Sequence, residues 1–417
     1  MTSSFYNSSL ETVFYKEIDK ITFVIPSRNN LEFLKLAYKS IRNLDREYTE
    51  IFEGCASVDK YIAHDILILN DASNDGTQEW LDSLEDENLI VYTNQGPDRV
   101  GIVGMFDKGI EMARTDIIFA FHADMVASSD LDMNILKYLD RGKVITATRV
   151  EPPLHPPGPE KIVEDYGVEV NEFNFQKWLS GSEKLKEHKT TNGIFAPWCM
   201  YKDDFLAVGG HDELFAPQSR EDSDLFNRFK LKGYELIQSW EALVYHFTSR
   251  GSRFNKHSGG DTGKDSPEWQ YTNHKNSRNF IRKWGTIVQH DEHMMPIITP
   301  KYNIGFVVSN CSASLLEMLE PWCSTIYTDW GWKTYIDEEQ KNTTLDLKER
   351  VKSRLESKVD NDIVVEFDGS KLDQDGFMFI QKLPHILSES GEIGEMEHDI
   401  FKLKIKSLNT YEEDYIK

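Results

Sequence analysis

The chain has 417 residues, 39% hydrophobic and 12% aromatic, which is enough for a substantial core and too long for one ordinary domain. A formal charge of −23 excludes a nucleic-acid backbone or an anionic membrane as the main partner, and obliges any anionic substrate to meet a local basic patch or a metal. Four scattered cysteines (Cys55, Cys199, Cys311, Cys323), no basic-then-apolar leader and no apolar run near the about 20 residues of a membrane span together predict a cytoplasmic protein with reduced thiols and no transmembrane segment.

Residues 1–20 read as a polar lead-in whose Phe5, Tyr6, Val13, Phe14 and Tyr15 dock on the core. Ile21 to Ile25 is the first strong strand, stopped by Pro26. Ser27-Arg28-Asn29-Asn30 then leads into a helix with Leu31, Leu34, Tyr38 and Ile41 on one stripe. A second strand, Asp65 to Leu69, runs into Asn70 to Thr77, a loop made of turn and capping residues in which Asp75 is expected to cap the next helix. A helix carrying Trp80, Leu81 and Leu84, a strand from Leu89 to Tyr92 and a helix from about Met105 to Ala113 continue the alternation. Such repeats predict a parallel, doubly wound half.

Ile117 to Phe121 is too short and too rich in β-branched and aromatic residues to be anything but a buried strand. It ends in His122-Ala123-Asp124, two polar side chains two residues apart. They share one side of the sheet edge if strand geometry persists. Ligands bind at the carboxyl ends of strands in open α/β sheets, so an imidazole and a carboxylate there point to a divalent cation. The plainer reading is that Asp124 only opens the next loop.

Lys143 to Thr148 predicts another strand, and the proline-rich Glu151 to Pro159 an extended loop. Residues 160–190 read as a helical insertion with Phe173, Phe175 and Trp178, after which Ile194 to Tyr201 returns to the core. A helix from Asp203 to Val208 and the turn Gly209-Gly210 follow. In Ser219 to Phe229, Ser219 and Asp222 have capping-box spacing, and acids suit a first helical turn, a purely structural account of Glu221, Asp222 and Asp224. Strands at Glu235 to Ile237 and Ala242 to His246 precede a basic loop (about 247–265) with Arg250, Arg253, Lys256 and His257, then a helix from Trp269 to Trp284. Residues 300–417 read as a small acidic α/β unit: strands at 302–308, 325–327 and 363–367, helices at 314–319, 345–358 and 374–387.

Five fragments resemble family 2-type glycosyltransferases of the GT-A fold, in that family's order. Val24-Ile-Pro-Ser-Arg-Asn29 is similar to its V-I-P-T-Y-N opening, and Leu69 to Thr77 to V-D-D-G-S-x-D-G-T. Phe121 to Met125 stands where the family has L-D-A-D. Ala207 to Glu213 is similar to V-G-G-F-D-E, and Glu221-Asp-Ser-Asp-Leu225 through Lys232-Gly-Tyr234 to E-D-x-D-L and x-G-Y. The resemblance covers roughly residues 20–250 and implies a GT-A domain over 21–295, a Rossmann-like mixed sheet, followed by the smaller C-terminal unit.

The resemblance further implies a metal-dependent, inverting transfer of a sugar from a nucleotide-diphosphate sugar, UDP favoured, to an acceptor hydroxyl of a glycan or glycoconjugate. Asp124 is then the principal ligand of Mn2+ or Mg2+, with His246 and His122 as further ligands; nitrogen favours Mn2+. Asp222, with Glu221 next, is the candidate base. Pro26, Ser27, Arg28, Asn70, Asp71 and Ala123 are expected around the nucleotide-sugar, Arg99, Arg250 and Arg253 around its phosphates, and Trp198 beside the acceptor. Asn70 and His122 replace family aspartates, which loosens the assignment of uracil and of the metal. Alternatives are a retaining transferase or nucleotidyltransferase on a related fold, or a catalytically silent carbohydrate-binding relative.

Overall fold

The computed structural model describes residues 19–51, 57–329, 331–355 and 357–415. The aromatic residues of the lead-in and Cys55 lie outside the described residues.

The first sheet is built on Ile21–Ser27, flanked in parallel by Asp65–Asp71 and Ile117–Ala120, with Leu89–Asn94 beyond Asp65–Asp71. These central strands are apolar without alternation because both faces are covered. Phe23 and Ile25 face the helix Leu31–Arg42, whereas Val24 faces the other way, toward Ile102–Met112. That second helix sits so close that a Cβ on Gly109 would lie 2.5 Å from Val24. On the other side of the sheet, Trp198–Tyr201 runs antiparallel between Ile117–Ala120 and Lys143–Glu151. Beyond it, Glu235–His246 pairs in parallel with Lys143–Glu151. The two separate strands expected at 235–237 and 242–246 are one strand whose register shifts between Ser239 and Leu243.

One local device positions the site. After Ile117–Ala120 the chain turns through His122 to Asp124, then doubles back as Met125–Ala127, antiparallel to the end of Glu235–His246. Met125 pairs with His246, and Phe247 N–H donates to the Asp124 carbonyl at 3.0 Å. His122 and Asp124 therefore sit on a turn, not on a continuing strand.

A second sheet has the order Val351–Ser353, Thr325–Thr328, Ile304–Ser309, Ile363–Asp368, Phe401–Ile405, Gly394–His398, the first four parallel and the last two an antiparallel hairpin. Its core gathers Phe306, Ile326, Val365 and Phe401, with Ile281 from the preceding helix. That helix, Pro267–Trp284, starts on a Ser266 side-chain cap and stops at Gly285 in the left-handed region. The helix expected at 345–358 is only Leu347–Arg350. Val351 is buried and Val351–Ser353 joins the sheet, so tertiary pairing overrides a charged, helix-favouring sequence. The hairpin Arg46–Ile51 with Ser57–Ile62, the helices Leu131–Leu136 and Trp332–Glu339, and the C-terminal hairpin carried no clear sequence signal.

Candidate active site

Strand ends and three loops enclose a cleft at the carboxyl edge of the first sheet. Its floor holds Asp124, His246, His122, Glu221 and Asp222. Asp124 is buried; its Oδ2 accepts the Arg250 backbone N–H at 2.9 Å and lies 3.7 Å from His246 Nε2. The other ring nitrogen of His246, Nδ1, lies 2.8 Å from Glu151 Oε1. Burial opposes charge on Glu151, but the His246 hydrogen bond, Arg149 and Lys161 hold its carboxyl well below the usual range. An ionised Glu151 accepts a hydrogen bond from Nδ1–H of His246 and so orients the ring with Nε2 toward Asp124. Burial of the His122 ring outweighs Asp124 and Asp222 and lowers its pKa, which favours the neutral ring.

Glu221 and Asp222 open the helix Glu221–Leu231. The capping-box expectation fails here. Arg220 occupies the N-cap at φ 73° behind Ser219 at φ 75°, and no side chain caps the helix. Two consecutive non-glycine residues in the left-handed region are a strained arrangement of the kind that collects at functional sites. Burial, then the charge of Asp222, push the Glu221 carboxyl up to about 8, and Oε2 has no hydrogen-bond partner among the described residues. Asp224 is structural: it holds Arg228 at 2.9 Å and accepts from Trp284 Nε1 at 2.9 Å.

One arm of the cleft is polar and basic, lined by Pro26, Ser27, Arg28, Asp71, Arg99 and Glu268. Arg99 pairs with Glu268 at 2.9 Å. Asp71 accepts from Asn94 Nδ2 at 2.7 Å and from Val100 and Gly101 N–H, both at 2.8 Å. It thereby fixes the loop before Ile102–Met112. Gly101, at φ 90°, lets this loop touch Pro217, where a Cβ would stand 2.3 Å from the proline Cβ. The opposite arm is largely apolar, with Ile194, Phe195, Phe226 and Met294 beside Arg149 and Asp222.

Residues 22–200 match the family model of glycosyl transferase family 2. This segment is a family 2 glycosyltransferase domain, and its mixed sheet has the GT-A architecture. Solved structures similar to the chain include GalNAc-T7 with UDP, GalNAc and Mn2+, at 14% identity over 56% of this chain and 44% of that one, TM-score 0.41. Another is the mannosyltransferase PcManGT from Pyrobaculum calidifontis in complex with GDP-Man and Mn2+, at 14% over 63% and 62%, TM-score 0.39. S. aureus TarS 1-349 in complex with UDP-GlcNAc aligns at 12% over 55% and 61%, TM-score 0.37. This chain spans less than two-thirds of each. No curated protein matches it. Among the described residues no helix is long and apolar enough to cross a membrane.

Within the cleft stand Pro26, Ser27, Arg28, Asp71, Arg99, His122, Ala123, Asp124, Glu221, Asp222, His246 and Arg253. Three expected members do not join them. Asn70 is buried, with Nδ2 donating to Gln78 at 2.9 Å and Oδ1 accepting from Ser73 N–H at 3.2 Å, so it braces its own loop. Trp198 is 1% exposed and stacked on Phe205; it is core, not an acceptor platform. Arg250 turns its guanidinium to Val168, Glu169 and Thr262, leaving only its backbone near Asp124. Asp75 does more than expected, with Oδ1 accepting Thr77 N–H at 3.2 Å and Oδ2 accepting Leu31 N–H at 2.9 Å, the starts of two helices. Sequence reasoning missed Glu151, Arg149 and Arg220. Glu151 could have been found only from the pairing of Val150 with Tyr245, which sets it beside His246.

Proposed function

We propose that the chain is a metal-dependent, inverting glycosyltransferase that moves a sugar from a nucleotide-diphosphate sugar to an acceptor hydroxyl on a glycan or glycoconjugate. The observation that carries this is the convergence of Asp124, His246 and Asp222 on one floor, between a basic arm and an apolar one.

Among the described residues no three His, Cys, Asp or Glu side chains close on one point. The donor set nevertheless fits a divalent cation completed by diphosphate oxygens: a buried carboxylate facing an imidazole nitrogen whose lone pair Glu151 keeps free. Asp124 and His246 would hold Mn2+ (or Mg2+), with His122 alongside. Bound there, the ion would supply positive charge to offset that of a departing diphosphate. Arg28, Arg99, Arg220 and Arg253 supply the positive surroundings that a chain of this net charge must gather locally.

Asp222 takes the proton of the acceptor hydroxyl as its oxygen bonds to the anomeric carbon. The carbon–oxygen bond to the diphosphate breaks, and the nucleoside diphosphate leaves with the electron pair. A single base opposite the leaving group implies inversion. The basic arm fits the nucleotide, UDP favoured on the family resemblance, with Asp71 and Arg99 in its wall.

The test is turnover of a panel of UDP- and GDP-sugars with Mn2+ or with chelator. The wild type should consume at least one donor only when metal is present. Asp222→Asn should lower transfer by a factor of about 100 or more while donor binding persists. Metal-independent turnover, or full activity in Asp222→Asn, would refute the reading.

A further inference from the structure

Resting on the proposed glycosyltransferase reading, we infer that the acceptor carries an anionic group, a carboxylate or a phosphate, which Arg149 binds in the apolar arm of the cleft. Arg149 lies two residues before Glu151 on the strand Lys143–Glu151, so both side chains leave the same face of the sheet. Its guanidinium lies over the Phe195 ring, 4.3 Å from the centroid, and lines the pocket that also holds Asp222, Ile194, Phe226 and Met294.

This arginine combines burial in the apolar arm with the lack of a close acceptor. Among the described residues its guanidinium finds no hydrogen-bond acceptor: Nε is buried and unpartnered, and Nη1 stays 3.6 Å from Glu151 Oε1. The two Glu151 oxygens are already engaged by His246 and by Lys161 at 2.9 Å. Of the other arginines at the cleft, Arg99 holds Glu268, Arg220 holds Ser277 and Arg253 holds Asp265, while Arg28, 3.8 Å from Glu268, lies in the basic arm and is 36% exposed. The Arg149 side chain is only 18% exposed. A half-desolvated planar cation without acceptors is costly unless a ligand supplies them, and its geometry matches the two oxygens of a carboxylate or phosphate.

Position decides which substrate this is. Arg149 does not line the basic arm; it lines the apolar pocket, which it shares with the base, Asp222, and with His122 and His246 at the edge of the floor. The apolar walls exclude water and strengthen a charge-assisted bond there. They leave the rest of the acceptor to be recognised by an apolar ring face. On a protein of −23 net charge, an anionic acceptor needs such a local anchor.

The experiment measures binding of methyl β-D-glucuronide, glucose 6-phosphate and methyl β-D-glucoside to the full chain with Mn2+ and UDP present, for wild type, Arg149→Gln and Arg149→Lys. The wild type should bind one charged sugar about tenfold more tightly than the neutral one, and which one distinguishes carboxylate from phosphate. Arg149→Gln should erase the difference and Arg149→Lys should keep part of it, which separates loss of recognition from loss of fold. Equal binding of charged and neutral sugars overturns the inference, as does a preference that survives Arg149→Gln. Weakened UDP–Mn2+ binding in Arg149→Gln would also overturn it, by moving the guanidinium to the donor. Failure of every nucleotide-sugar to turn over would instead strike the proposed activity and leave this binding comparison readable.

Discussion

His246 is a metal-ligand candidate because its second nitrogen is committed. Glu151 engages Nδ1, so Nε2 is the nitrogen turned toward Asp124 and available to a metal. Glu151→Gln offers an amide that can donate to Nδ1, which would move the ring proton to Nε2. Mn2+ affinity should fall by a factor of about 10–100, measured by titration followed with electron paramagnetic resonance; unchanged affinity would remove Glu151 from the site. Asp124 and Asp222 were legible in the sequence because their neighbours form short, ordered motifs. Glu151 was not, since a proline-rich run follows it and its contact with His246 comes from strand register 95 residues apart. Asn70 and Trp198 misled for the opposite reason: residue type is visible in a sequence, whereas the direction of a side chain is not.

The helix Glu221–Leu231 presents two acids in its first turn, and burial keeps one of them protonated. The ordinary Glu221 pKa of 4.5 rises to about 8 in the folded protein. The folded state then holds a proton that the unfolded chain has released. That contribution to stability is complete below pH 4.5 and is lost as pH climbs through 8. Glu221→Gln should therefore flatten the decline in thermal midpoint between pH 5 and pH 9. Equal slopes in calorimetry would show that the carboxyl titrates normally. Elements of this kind, amphipathic helices and apolar strands, were readable from periodicity. The hairpin Arg46–Ile51 with Ser57–Ile62 was not, because its charged sequence lacks an apolar face. The span 345–358 was misread because the pairing of Val351 to Ser353 depends on Thr325–Thr328, not on local propensity.

The two sheets are joined through the helix Pro267–Trp284, whose Arg282 reaches Glu320 at 2.7 Å while Arg350 reaches the same carboxylate at 2.7 Å. Burial opposes ionisation of Glu320, but Arg350 and Arg282 prevail and hold its carboxyl down at about 2. Its stabilising contribution is complete above the ordinary 4.5 and drains away as pH falls toward 2. Glu320→Gln removes the charge that both guanidinium groups face, leaving them Glu339, Asn279 and backbone carbonyls, and should cost about 3 kcal/mol in denaturant unfolding, with a shallower acid limb; a loss below about 1 kcal/mol would mean that water screens the cluster. The wall of the apolar pocket has the same dual allegiance. Val288, Met294 and Pro296 come from the stretch between the helix Pro267–Trp284 and the second sheet, and Lys230 ties Pro296 down at 2.5 Å. Variation in that connecting stretch can therefore reshape the apolar arm while the floor around Asp124 and the basic arm stay as they are.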